Sequence, residues 1–200
     1  MVCRLDALPT FELPQGYGVR HFTDGDDKHW DHIIFSSFVW YVKLPHFARV
    51  MSGDVAFEPR RVLFITHGQT PIATASAWWR PAHPPTLGYL HYVAALDTHR
   101  GLSLGLRVSL ACMYFMKAEG RTHCLLHTDD FRLPALHTYL KLGFEPVLVH
   151  ENQRQRWLDV FAALKRPSLA KQFADILSGP VVLEGSAAWR GILPSIHAGS

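Results

Sequence analysis

No stretch of this 200-residue sequence is apolar for long enough to cross a membrane. The longest apolar run, residues 108–116, is closed off by Arg107 and Lys117 and reads as a buried helix. A secretory leader is not expected either, since Asp6 and Pro9 interrupt residues 1–10, where such a leader needs an unbroken apolar core. Cysteine is scarce: Cys3, Cys112 and Cys124 are an odd number without a CxxC pair. This argues against a disulfide framework and against a cysteine zinc site, and it favours a reducing, cytoplasmic compartment. Two phosphate-binding signatures are missing as well, the Gly-Lys-Ser/Thr of a Walker A loop and the GxGxxG of a dinucleotide fold. Charged residues make up only 18% of the chain, and a net charge of +3 is too small to suggest a nucleic-acid groove, though it suits an anionic small ligand. His29 and His32 have helical metal-ligand spacing, but no second pair of ligands accompanies them, so no metal is expected.

What the sequence does have is apolar content, 48% hydrophobic and 12% aromatic, enough for a sizeable core. Periodicity and turn chemistry divide it into elements. Residues 18–22 read as a strand, and Asp24, Gly25 and Asp26 supply a turn and N-cap for a helix through about Val39 with Trp30, Ile33, Ile34 and Phe38 on one stripe. A short helix over 45–51 precedes two strands, 61–66 and 72–79, joined by a hairpin turn at His67, Gly68, Gln69 and Thr70. Strand 87–95, helix 103–119, strand 122–127, helix 133–142 and strand 144–150 follow. Two further helices, 153–164 and 168–177, lead into a tail punctuated by Gly and Pro. This order implies a mixed α/β sheet covered by helices, in one domain over residues 1–150 with a helical extension over 151–200.

The most informative stretch is LGYLHYVAALDTHRGLSLGLRVSL: an apolar strand, a turn with two glycines and a long apolar helix. The first N–H groups of a helix have no intrahelical acceptor and sit at the positive end of its dipole, so they stabilise a phosphate. Gly101 and Gly105 let backbone approach the phosphate oxygens, and Ser103 offers a hydroxyl. Glycines at such a turn also serve ordinary tight-turn chemistry. A second stretch downstream, LHTDDFRLPALHTYLKLGFEPV, adds information of its own.

Together the two stretches resemble the GCN5-related N-acetyltransferase (GNAT) superfamily. Its pyrophosphate-loop pattern, Arg/Gln-x-x-Gly-x-Gly/Ala, is matched by Arg100, Gly101, Leu102, Ser103, Leu104 and Gly105, with Ser103 in place of the inner glycine. Its later pattern is matched by Ala135, Tyr139, Leu142, Gly143 and Phe144, with Arg132 where an Asn is common. The segment GYGVRHFTDGDDKHW is similar to the family's first strand and helix; residues 151–200 have no counterpart. The resemblance implies a mostly antiparallel central sheet flanked by helices and splayed open after its fourth strand. It also implies acetyl-CoA as cosubstrate, held by backbone of Val93 and Ala95, by residues 100–106 including Leu106, and by Arg132 and Ala135.

Acetyl transfer to an amine needs a neutral nucleophile, a polarised thioester carbonyl and a proton for the departing thiolate. By resemblance, Tyr139 is the candidate acid, although Leu133, Leu136 and Leu140 share its helical face and a core role would suit it too. His91 is the candidate base, because alternation places Tyr89, His91, Val93 and Ala95 on one strand face. His127, Asp129 and Asp130 could bind a cationic amine or form a solvated loop, and Arg107 could reach phosphate or lie on the helix surface. Phe35, Phe38, Trp40, Tyr41, Trp78, Trp79, Tyr89 and Tyr92 are core or acceptor-pocket aromatics. The resulting expectation is direct acetyl transfer to a small-molecule primary amine, with no nucleic-acid or membrane partner. Alternatives are a protein N-terminal or lysine acetyltransferase and a non-catalytic CoA-binding module; the extension either covers the acceptor cleft or forms a homodimer surface.

Overall fold

The structure, a computed structural model, describes residues 1–38 and 45–182. Its elements are β1 (Val2–Arg4), β2 (Tyr17–His21), α1 (Asp27–Ser37), α2 (Phe47–Val50), β3 (Val62–His67), β4 (Thr70–Trp78), β5 (Leu87–Ala95), α3 (Leu104–Ala118), β6 (His123–Leu125), α4 (Leu133–Lys141), α5 (Gln153–Ala163), α6 (Ser168–Gln172) and α7 (Ala174–Ser178). Six strands form one sheet in the order β1-β6-β5-β4-β3-β2. β5 and β6 run parallel, and every other neighbouring pair is antiparallel. The fold is therefore the mixed, mostly antiparallel sheet flanked by helices that the sequence implies.

Each face of the sheet has its own core, and β3 is buried and apolar on both sides over Val62, Leu63, Phe64 and Ile65. On one face Leu63 and Ile65 join Ala73, Ala75 and Ala77, whose small side chains leave room for Val108, Cys112 and Met116 of α3. On the other, Val62, Phe64 and Trp78 meet Trp30, Ile33 and Ile34, the predicted stripe of α1. The start of α1 is held through Asp26, whose carboxylate accepts both Arg20 nitrogens (2.5 and 2.8 Å) and the Thr23 amide (2.7 Å). Asp26 occupies the cap position with its side chain turned back to β2 instead of onto the helix amides.

Several expectations change. The strand read over 144–150 does not form: Glu145 makes one bridge with Val2, and the ladder stops at Pro146, which has no N–H to donate. The short strand β1, unread in the sequence, takes the place beside β6 instead. β6 itself is three residues long, not the full 122–127. The helix read over 168–177 is broken at Phe173, which turns its ring into the α3-face core. That core also takes Val160, Phe161 and Leu169, through which α5 and α6 pack against the α3 side of the body. Val39, Trp40, Tyr41 and the tail beyond residue 182 lie outside the described residues.

Candidate active site

β5 and β6 pair only over Leu87↔His123, Gly88↔Cys124 and Tyr89↔Leu125. Beyond Tyr89, β5 continues to Ala95 on β4 alone, and the sheet parts. The cause is visible in the β4–β5 register, which steps from Ser76↔His91 to Thr74↔Ala94, leaving one extra residue on β5. Tyr92 absorbs it with a φ of +46°, and such a bulge bends its strand away from a neighbour. It also corrects the expected side-chain pattern. Tyr89 packs with the α1-face core, whereas Val93 and Ala95 pack towards α3, so they do not share a face with His91. Leu96 N–H donates to Ile72 O at 2.9 Å on the β4 side. Backbone alternation therefore turns the Ala95 and Val93 N–H groups into the gap.

Two cavities of about 790 and 440 Å3 occupy this gap and share Phe38, Val93, Arg132 and Tyr139. The larger ends at the start of α3, where Arg100, Gly101, Ser103, Leu104 and Gly105 line it, and Ala135 borders it from α4. Among the described residues the backbone N–H groups of residues 101–106 donate to no carbonyl or side chain; the first helical bond is Arg107 N–H to Ser103 O. The turn reaches this shape through Gly101 at φ +86° and Ser103 at φ +52°, while Leu102, Leu104 and Leu106 anchor it in the core. A Cβ on Gly105 would meet nothing within 4 Å. The side chains behave differently from the backbone. Arg100 pairs with Asp97 at 2.9 Å, and Arg107 folds back to donate to Leu102 O at 3.0 Å, bracing the turn.

At the junction of the cavities lies Tyr139, 7% exposed, with its ring edge-on to Phe144. Burial pushes its phenol well above the usual range. The smaller cavity is walled by Tyr89, His91, Tyr92, His127, Asp129 and Arg49. The Tyr89 hydroxyl and His127 Nδ1 share a hydrogen bond of 3.2 Å, and the His91 ring lies 4.1 Å from that of Tyr92. Arg132 stands over Phe38 at 4.3 Å and pairs with Asp129 at 3.1 Å. Asp130 points the other way, to Arg156 at 2.6 Å. The structure thus gathers Tyr89, His91, His127, Asp129, Arg132 and Tyr139, and separates Asp130. Arg49 is a lining residue that the sequence does not announce, because an isolated arginine carries no periodic signal. Among the described residues, none of 151–182 lines either cavity.

His91 is held down to about 4, chiefly by burial, with Arg80 and His127 adding to the effect and Asp54 opposing it. It is therefore a neutral imidazole at physiological pH. The unfolded chain protonates this residue near ~6.5. Between that pH and 4 the unfolded state binds the extra proton, so stability is complete above ~6.5 and falls as the pH drops through this window. Replacing His91 by Gln is expected to remove about 2 kcal/mol of the loss between pH 7 and 4.5, measured by urea denaturation. Equal losses in both proteins would contradict the assignment.

A mixed sheet that parts at its parallel strands beside a row of free helix-start amides is the architecture of the GCN5-related acetyltransferases. The sequence agrees independently: residues 27–144 match the acetyltransferase (GNAT) family, and the chain belongs to it. A mycothiol acetyltransferase of Nocardia farcinica is 25% identical over 150 residues, which cover 71% of this chain and 50% of that protein. A GCN5-related N-acetyltransferase from Sphaerobacter thermophilus superposes with a TM-score of 0.58 at 18% identity, over 72% of this chain and 46% of that one. The aminoglycoside N-acetyltransferase AAC(6′)-Iy, solved with CoA, gives a TM-score of 0.52 at 14% identity, over 68% and 93%. Both structures share the fold. The chain spans about half the length of the curated relatives it matches.

Proposed function

We propose that this chain transfers an acetyl or related acyl group from acetyl-CoA to the primary amine of a small molecule, directly, with both substrates bound. The observation that carries the reading is the continuous gap, with free amides at one end, an aromatic-walled cavity at the other and Tyr139 where the two meet. The residues present fit CoA. A pyrophosphate suits the N–H groups of residues 101–106, and the missing Cβ of Gly105 leaves space for it. The N–H groups of Val93 and Ala95 suit the pantetheine arm and the thioester carbonyl. The Mycothiol acetyltransferase name of the relatives and the CoA in the AAC(6′)-Iy structure support a CoA-dependent reaction at an amine.

Within this reading each residue has a stated task. Tyr139 holds its proton at every working pH and gives it to the leaving sulfur, whose own proton affinity rises in the same buried surroundings. His91 is too weak a base to strip an ammonium outright. As a neutral imidazole it accepts a hydrogen bond from the amine or from a water that carries the proton away. Residues 1–150 are assigned the transferase unit, and α5 to α7 support it from behind.

Thiol release from acetyl-CoA, followed across small primary amines and short N-terminal peptides, tests the acceptor class. Release is expected with small amines. Release confined to peptides would move the acceptor to a protein terminus, and binding without any release would leave a CoA-binding module.

A further inference from the structure

We propose that His99 is a phosphate-binding residue for CoA, donating through its Nε2–H, and that Tyr17 is the positioning residue that keeps the proton on that nitrogen. The inference rests on the transferase reading above and adds a side chain from outside residues 100–106 to the cofactor end of the site.

His99 ends a short 3-10 turn, Asp97–His99, between β5 and the amides at the start of α3, and it lines the larger cavity. Two other rings fix its orientation. Tyr17 of β2 and His67 of β3 are register partners whose rings stack at 4.8 Å, and the His99 imidazole stands edge-on to both, at 5.8 and 5.4 Å. The Tyr17 hydroxyl and His99 Nδ1 share a hydrogen bond of 2.8 Å. Among the described residues neither side chain makes any other hydrogen bond. A phenol O–H donates to an imidazole nitrogen more readily than it accepts from one, so Nδ1 is the acceptor and the ring proton stays on Nε2. Nε2–H is then an uncommitted donor on a cavity-lining residue, next to the row of amides, and it suits an anionic oxygen. The charged side chains of the same stretch are differently placed. Arg100 donates twice to Asp97, at 3.0 and 2.9 Å, and Arg107 donates to Leu102 O. His99 thus adds a side-chain donor where the backbone otherwise holds the anion alone. CoA offers phosphate oxygens at its diphosphate and at its ribose 3′ position, and the chemistry of the contact is the same for both.

Calorimetric titration of the whole chain with acetyl-CoA tests the inference in wild-type, His99→Phe, His99→Gln and Tyr17→Phe proteins. His99→Phe keeps a ring against Tyr17 and His67 and removes both nitrogens. It is expected to weaken acetyl-CoA binding about tenfold, the size of one hydrogen bond to a charged group. His99→Gln, whose amide N–H reaches the position of Nε2, should recover most of that loss. In the transfer assay the His99→Phe loss is expected in KM for acetyl-CoA, with kcat kept. Repeating the titrations with 3′-dephospho-acetyl-CoA shows which phosphate is held: a loss that persists assigns the diphosphate, and one that vanishes assigns the 3′-phosphate. Nitrogen-15 NMR of the His99 ring is expected to show the Nε2–H tautomer in the wild type and a mixture of tautomers in Tyr17→Phe. That mixture should weaken acetyl-CoA binding about two- to threefold, because only the fraction with the proton on Nε2 is competent. An Nδ1–H ring in the wild type, or acetyl-CoA binding by His99→Phe that matches the wild type, overturns the inference and leaves the transferase reading intact. A loss that His99→Gln does not repair also overturns it, since the ring is then needed for packing alone. Failure of the wild-type protein to bind acetyl-CoA would instead overturn the reading beneath it.

Discussion

Replacing Gly105 by Glu is expected to abolish acetyl-CoA binding while leaving the protein as stable as before, or more so. Gly105 sits in the first turn of α3 with helical backbone, and a side chain there would project into open cavity without touching protein. A carboxylate in the first turn complements the helix dipole, worth about 0.3–1 kcal/mol, and losing a glycine from a helix adds up to about 1 kcal/mol more. The same carboxylate would stand where the pyrophosphate is proposed to lie. Two like charges about 4 Å apart at an effective dielectric near 20 repel by about 4 kcal/mol, on the order of a thousandfold in Kd. Thermal unfolding and calorimetric titration on one preparation separate the two effects. Retained binding would remove the turn from the site, whereas a fall in Tm would make Gly105 a folding residue.

Replacing Tyr139 by Phe is expected to lower kcat about a hundredfold or more, with acetyl-CoA affinity nearly unchanged. The ring stays in its place against Phe144, so packing is preserved and only the hydroxyl is lost. Among the described residues that hydroxyl has no hydrogen-bond partner, so its removal leaves no protein group unsatisfied. General-acid contributions typically lie between about 10² and 10⁴, which sets the expected size. A variant of unchanged kcat would return Tyr139 to the core role that its helical face also permits. A rise in KM for acetyl-CoA with kcat intact would make it a binding residue.

How much of this was legible depended on the physics behind each element. β5 reads directly from sequence over Leu87–Ala95, because a long apolar run between turn residues leaves few other registers. The start of α3 is equally plain, since its glycines and apolar helix are local features. The bulge at Tyr92 is not local: it is fixed by where β4 pairs, and without it strict alternation wrongly puts Val93 and Ala95 beside His91. β1 is too short to carry a period and gains its place from pairing with β6 and from the bridge to Glu145. The candidate site divides the same way. The anion-binding turn and Tyr139 belong to short motifs, so a sequence can announce them. Arg49 and the pairing of Asp129 with Arg132 meet only where segments far apart in the sequence come together around the cavity.

On this reading the free amides of residues 101–106 form a CoA site open to the gap between β5 and β6. Calorimetric titration of the wild-type chain with acetyl-CoA and with desulfo-CoA decides whether they do. One-to-one binding of both is expected, since the anion end and not the sulfur anchors the ligand. Absence of binding to either compound would contradict it.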